Sequence, residues 1–353
     1  MENLRAASAL ALLLMLSACG GGGGSDSALD GTESQDTVES EQSDEAEDET
    51  SDTVGTGAVV EIATDGSTNG VLCNYQDTTL NSQESLTYTS ESQWVCTATA
   101  RELSANGIPD HTVGTFPNAG NPNTISEQTV AASYTLTPQE NTVATELGGP
   151  RGAVGHVLNG IKIDASTAGS CDDSGYSCSL IENGYGWNIE ALGQTSFDFG
   201  TDDNNAHVQP GGAYHYHGMP EGFIAKRQGS SSAMTLIGWA ADGFPIYARY
   251  GHSIADDASS PVKVMAGSYQ LISNVSVGRP SVDIYPLGTF AQDWVYVEDS
   301  GDLDECNGRA GVTPEFPQGI YHYYATDTYP YFQRCVHGVV DAAAAGQLPP
   351  AGQ

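Results

Sequence analysis

A chain of 353 residues with 45 acidic against eleven basic side chains carries a formal charge of −34. That balance excludes nucleic acid as a partner, because a polyanion demands a face rich in lysine and arginine. It suits solubility in salty surroundings and attraction of cations without selecting one, and the length allows one large or two ordinary domains.

The chain opens with a short basic start at Arg5, an apolar run from Ala6 to Leu16, and then Leu16-Ser17-Ala18-Cys19. The run is too short to span a bilayer and has the shape of an export signal. It resembles a bacterial lipoprotein signal over residues 1–18, which implies Cys19 as a lipidated N-terminus and several acyl chains as a firm membrane anchor. Gly20 in place of aspartate beside the cysteine points to the outer membrane, facing the periplasm or the cell exterior. An ordinary cleaved signal with an incidental cysteine is the alternative. Residues 20–57 hold twelve acids and few residues able to enter a core, so residues 19–57 read as a lipidated cysteine and a disordered, self-repelling tether. Calcium on those carboxylates is a lesser option, since nothing fixes their geometry.

Six cysteines remain: Cys73, Cys96, Cys171, Cys178, Cys306 and Cys335. An even count in an exported chain reads as three disulfides. Of the fifteen possible pairings we adopt sequence neighbours, 73–96, 171–178 and 306–335. Oxidised cysteines leave no thiolate for a metal or for nucleophilic attack.

The body, residues 58–341, reads as all-β: a sandwich or barrel-like antiparallel fold with long irregular loops, stapled by disulfides. Ala58–Ile62, Thr87–Tyr88, Trp94–Ala98 and Ala131–Leu136 carry strand-forming residues in near alternation. Residues 58–147 are a candidate separate subdomain, and residues 342–353 a flexible tail. Asn188–Leu192 is the one stretch that looks briefly helical. The clearest hairpin is LIGWAADGFPIYARYG, residues 236–251, turning at Asp242-Gly243, and Pro245 just past the turn predicts an edge strand.

Chemistry concentrates in PGGAYHYHGMPEG, residues 210–222, echoed by PQGIYHYY at 317–324. Alternate side chains of a strand share a face, so His215 and His217 point one way and Tyr214 and Tyr216 the other. Two imidazoles roughly 7 Å apart at their Cα atoms can converge on one cation. His207 and His322 are the candidates to complete the cage, in one site built from both copies of the motif. Imidazoles with an oxygen ligand suit copper or zinc, and Asp304 is a candidate general base for metal-bound water. The plain alternative is a tyrosine-rich strand whose histidines only make hydrogen bonds.

The chain resembles the YHYH family of exported bacterial proteins. The resemblance is carried by IPDHTVGTFPNAGNPN (108–123), LNGIKID (158–164), NNAHVQPGGAYHYHG (204–218), DGFPIYARYG (242–251) and DLDECNGRAGVTPEFPQGIYHYYATDTYPY (302–331). It directs attention to His207, His215, His217 and His322, with Asp242, Asp304, Asn307 and His111 as secondary ligands. It implies no particular activity.

Other readings fit less well. His215, His217 and Glu221 match the core of the cupin metal motif, which implies metal oxidoreductase chemistry in a β-barrel, but Gln209 stands where that pattern has glycine. Asp302 and Asp304 begin like a calcium-binding EF-hand loop, yet Cys306 and Asn307 break it. No serine-hydrolase elbow, P-loop or dinucleotide fingerprint is present. Two functions from different classes therefore stand. One is a lipid-anchored metal protein, either enzyme or metal-handling module. The other is a non-catalytic surface β-domain for adhesion or ligand binding.

Overall fold

The computed structural model describes residues 70–83, 86–149 and 152–340. The export signal, Cys19, the acidic tether, the Ala58–Ile62 strand and the tail lie outside them. The described residues all belong to one compact unit and are nearly all β, as composition and alternation predict. No helix among them is long and apolar enough to cross a membrane.

Strands β1 (Gln76–Gln83), β2 (Leu86–Cys96), β3 (Ala100–Ala105) and β4 (Val130–Thr135) form an antiparallel meander. The second and larger sheet has eight strands. In chain order they are β6 (Gly155–Val157), β7 (Lys162–Ile163), β11 (Ala206–Val208), β12 (Tyr214–Tyr216), β13 (Leu236–Ala240), β14 (Pro245–Tyr247), β19 (Gly308–Gly311) and β20 (Ile320–Tyr324). In space they run β11-β12-β7-β6-β13-β14-β20-β19.

That order reads the same from either edge, because the sheet is two copies of one four-stranded unit. In each unit a hairpin comes first, β6–β7 in one and β13–β14 in the other. Its outer strand then pairs in parallel with the tyrosine–histidine strand, β12 or β20. An antiparallel partner, β11 or β19, closes the edge. The units meet at β6 and β13, where His156 lies directly opposite Trp239. An approximate two-fold axis through that pair relates them. Turn chemistry repeats as well. Gly160 and Gly243 both have positive φ, 79° and 89°, and their N–H groups donate to Val157 O and Ala240 O at 2.8 and 2.9 Å. A side chain at Gly160 would strike Ala105, and one at Gly243 would strike Thr135, so both turns sit tight against the meander.

The meander covers the middle of the large sheet. The Trp94 indole is fully buried and donates to Leu158 O at 2.8 Å. The Tyr134 hydroxyl lies 2.6 Å from His156 Nδ1, and the Arg101 guanidinium stacks 3.3 Å over the Trp239 ring. Burying one such aromatic is worth about 1.5–3 kcal/mol.

Smaller ribbons complete the body. β5 (Glu140–Glu146) pairs with β21 (Cys335–Gly338). β8 (Ser170–Cys171), β9 (Cys178–Ser179) and β10 (Trp187–Asn188) form a three-stranded patch. β15 (Tyr250–His252) pairs with β16 (Val262–Val264), and β17 (Tyr269–Leu271) with β18 (Trp294–Tyr296). Disulfides join Cys73 to Cys96, Cys171 to Cys178 and Cys306 to Cys335, the sequence-neighbour pattern.

Four local expectations change. The described sheets do not close into a barrel, and two of the strand pairs in the large sheet are parallel. Pro245 is not on an edge: β14 lies between β13 and β20. As the first residue of its strand it precedes the β20 ladder, which begins at Ile246, so its missing N–H costs no bond there. Asn188–Leu192 is not helical, since Trp187–Asn188 pairs as β10. The one α-helix among the described residues is α1, Glu221–Lys226, so Glu221 opens a helical turn that six residues were too few to reveal.

Candidate metal centre

β11 and β12 form a hairpin at one edge of the large sheet, with His207 directly opposite His215. The connection closes through Gln209 N to Ala213 O at 2.9 Å. It needs Gly212, whose φ is 89° and where a Cβ would fall 2.0 Å from Ser126 Oγ. Strand alternation places His217 on the same face, just past the end of β12. The three rings pack edge to face with centroids 4.6 to 4.8 Å apart, and their ligand atoms all lie within 4.8 Å of one another.

Hydrogen bonds fix which nitrogens are free. His207 Nδ1 lies 2.8 Å from Phe199 O, and His215 Nδ1 lies 3.3 Å from Ala213 O. A carbonyl only accepts, so both Nδ1 atoms carry the proton and both Nε2 atoms present lone pairs. His217 Nε2 sits 3.1 Å from His207 Nε2. Two nitrogens bound at 2.0–2.1 Å to one tetrahedral ion stand about 3.3 Å apart, so this spacing is already near that of a coordinated pair. In the metal-free chain a proton on His217 Nε2 bridges the pair, and His217 Nδ1 is then left buried with no hydrogen-bond partner. That is an expensive arrangement for a polar atom.

Burial holds all three imidazoles neutral. His207 is pushed below the ordinary histidine range by desolvation. His215 and His217 are pushed well below it, by desolvation first and by the neighbouring imidazoles next. Neutral imidazole is the ligand form. The trio lines a cavity of about 500 Å³, and no carboxylate joins the group among the described residues.

The tyrosines lie behind. The Tyr214 hydroxyl donates to Asp202 Oδ2 at 2.8 Å. The Tyr216 hydroxyl accepts from Asn159 Nδ2 at 3.0 Å and lies 2.5 Å from His111 Nε2. His111 Nδ1 faces Thr112 O at 2.9 Å and so holds a proton; its Nε2 therefore accepts from Tyr216. His111 is thus a prop for the strand, on the far side of it from the trio.

His322 is not brought to this cluster. It lies on β20, five strand spacings from β12, roughly 24 Å along the sheet. It is fully buried, with Nδ1 2.9 Å from Ile320 O and Nε2 2.8 Å from the Tyr324 hydroxyl. The cage built from both motif copies does not form, because the two-fold sends the copies to opposite flanks. Asp304 is absent from the cavity wall as well. Its Oδ1 accepts from Cys306 N and Gly308 N, both at 2.9 Å, and its Oδ2 from Tyr321 at 2.7 Å. Asp242 takes Tyr323 at 2.6 Å and Gly338 N at 2.8 Å, and Asn307 holds Tyr324 O at 2.8 Å. These three brace the second copy. Glu221 pairs with Arg249 and stands outside the trio, so the third element of the cupin pattern is engaged elsewhere.

Sequence reading passed over a second cluster, Asp304, Glu305 and His337, whose ligand atoms also converge. His337 lies 29 residues beyond Gly308 with no motif around it, so no spacing pointed to it. It also missed Phe199, whose carbonyl sets the His207 tautomer through a loop that carries no chemical signature. Neither a curated protein nor a solved structure matches the chain. Residues 131–338, more than half of the chain and the whole of the large sheet, match the family described as YHYH protein, and the chain belongs to that family.

Proposed function

We propose that the protein binds one divalent transition metal, copper or zinc, through His207, His215 and His217. The observation that carries this reading is the convergence of three neutral imidazoles, two of them with their proton already committed elsewhere, on the wall of a cavity. Nitrogen ligands without thiolate suit copper(II) and zinc, and the affinity order favours copper. Three protein ligands leave a position for an exogenous molecule, as catalytic metal sites do. A metal there supplies Lewis acidity to whatever enters the cavity. The chain's own contribution is to hold the rings, keep them neutral and shield one side of the ion. In this reading Cys19 carries the lipid and the acidic tether sets the site away from the outer membrane.

Elemental analysis and copper EPR of the full chain, exported through its own signal, test the proposal. One bound ion with nitrogen hyperfine structure is expected. Replacing His215 and His217 together by alanine is expected to weaken binding at least 100-fold while far-UV circular dichroism is unchanged. Undiminished metal in that double variant would sink the assignment and leave the β-domain as a ligand-binding or adhesive surface.

A further inference from the structure

The cavity beside the trio has a one-sided character. Among the described residues, the only charged one in its wall apart from the histidines is Glu182, and no described lysine or arginine lines it. Its asparagines are already committed: Asn121 and Asn123 both donate to Val208 O, at 2.9 and 2.8 Å. Part of the wall is apolar. Phe199 is buried against His207, with ring centroids 5.9 Å apart. Leu180 and Ile181 stand at the rim, 38% and 66% exposed, on the segment that follows the Cys171–Cys178 hairpin. Large apolar side chains left exposed beside a cavity are a feature of ligand sites.

Charge narrows the occupant. Three neutral imidazoles leave a divalent ion with its full double charge, so the open position favours an anionic ligand atom. Behind the wall, Lys162 and Arg334 bond to its Gln209 and Ser166 but are already paired with Asp164 and Glu190. With no cationic side chain among the described wall residues, a second negative charge on the ligand would face Glu182 and the acidic body without a free partner. Phosphate esters and dicarboxylates are thereby disfavoured. We infer that the metal-loaded cavity takes a small organic monoanion, its carboxylate on the ion and an apolar, aromatic-sized body against Phe199, Leu180 and Ile181. This rests on the metal reading above and names the ligand class for the same site. The volume, about 500 Å³, lies in the range of small-molecule sites.

Benzoate, acetate and inorganic phosphate, titrated into the cobalt- or copper-loaded full chain and followed by the metal's visible spectrum, test it. Benzoate is expected to perturb the spectrum at least ten times more tightly than acetate, and phosphate no more tightly than acetate. Ile181→Asp and Leu180→Asp, both at exposed positions, are expected to bring benzoate down to the acetate level with the ligand-free spectrum unchanged. Equal affinities for benzoate and acetate, preferred binding of phosphate, or indifference to both rim substitutions would each overturn the inference while leaving the metal site standing. A chain that takes up no metal would instead overturn the reading beneath it.

Discussion

The two halves of the large sheet are built alike and equipped differently. Each has a hairpin turning on a positive-φ glycine, Gly160 or Gly243. In each, a tyrosine ties the motif strand to the residue before that glycine: Tyr216 to Asn159, Tyr323 to Asp242. Each pins its first motif tyrosine to an aspartate, Tyr214 to Asp202 and Tyr321 to Asp304. The loop before the edge strand turns in both on an asparagine of positive φ, Asn205 at 54° and Asn307 at 60°. On the opposite face the halves part. Where one has His207, His215 and His217, the other has Arg309, His322 and Tyr324. His322 keeps the backbone anchor of its counterpart, Nδ1 to the carbonyl two residues before it. Its Nε2, however, is taken by a hydroxyl instead of facing a second imidazole. One scaffold thus lines a cavity with three converging imidazoles in one half and forms closed core in the other. The scaffold is the YHYH strand and its props; the chemistry is decided by two side chains.

That difference can be erased. Arg309→His combined with Tyr324→His should present three imidazoles in the second half in the register of the first. On the proposed metal reading, metal content by elemental analysis is expected to rise from one ion per chain to two. A stoichiometry still at one would mean that the cavity, and not the ring geometry alone, makes the site.

The shared props offer a sharper contrast. Asp242→Ala strands the Tyr323 hydroxyl and the N–H groups of Gly338 and Phe244, and should cost about 3–5 kcal/mol in denaturant melts with metal affinity unmoved. Asn159→Ala releases Tyr216 behind the histidines. It should cost stability too, but also weaken the metal roughly tenfold, as loss of outer-sphere support does. Equal metal affinity in both variants would show that the tyrosines do not position the trio.

The most gradual effect is a pH dependence. Burial pushes His322 down to about 4, against an unfolded value of about 6.5. Its contribution to stability is therefore complete above about pH 6.5 and declines as pH falls toward 4, because only the unfolded chain takes up the proton. Between those limits the protein should lose about 1.4 kcal/mol per pH unit more than a His322→Gln variant. Parallel stability–pH curves for the two proteins would contradict the burial of a neutral ring.

Much of this was legible before any coordinates. Strand alternation alone put His215 and His217 on one face with the tyrosines reversed, and local pairing of cysteines gave all three disulfides. His207 was found because it precedes the motif by only eight residues, the span of a hairpin. His322 was misplaced for the opposite reason. Two similar segments suggested one shared cage, whereas a duplicated unit folds each copy on its own turn and the two-fold then separates them. The second half of the evidence for duplication, Gly155–Gly160 against Gly238–Gly243, shares little beyond its turn and went unnoticed. Pro245 misled because its strand is recruited to the sheet's interior by a parallel partner that joins some 75 residues later.

All three imidazoles fall within eleven consecutive residues, on a single hairpin. On the proposed metal reading, chelation therefore does not depend wholly on the tertiary structure: a denatured chain keeps the His-x-His pair and would still hold an ion weakly. Added metal will raise the melting temperature by less than its affinity for the native protein dictates, since part of the binding energy also rewards the unfolded ensemble.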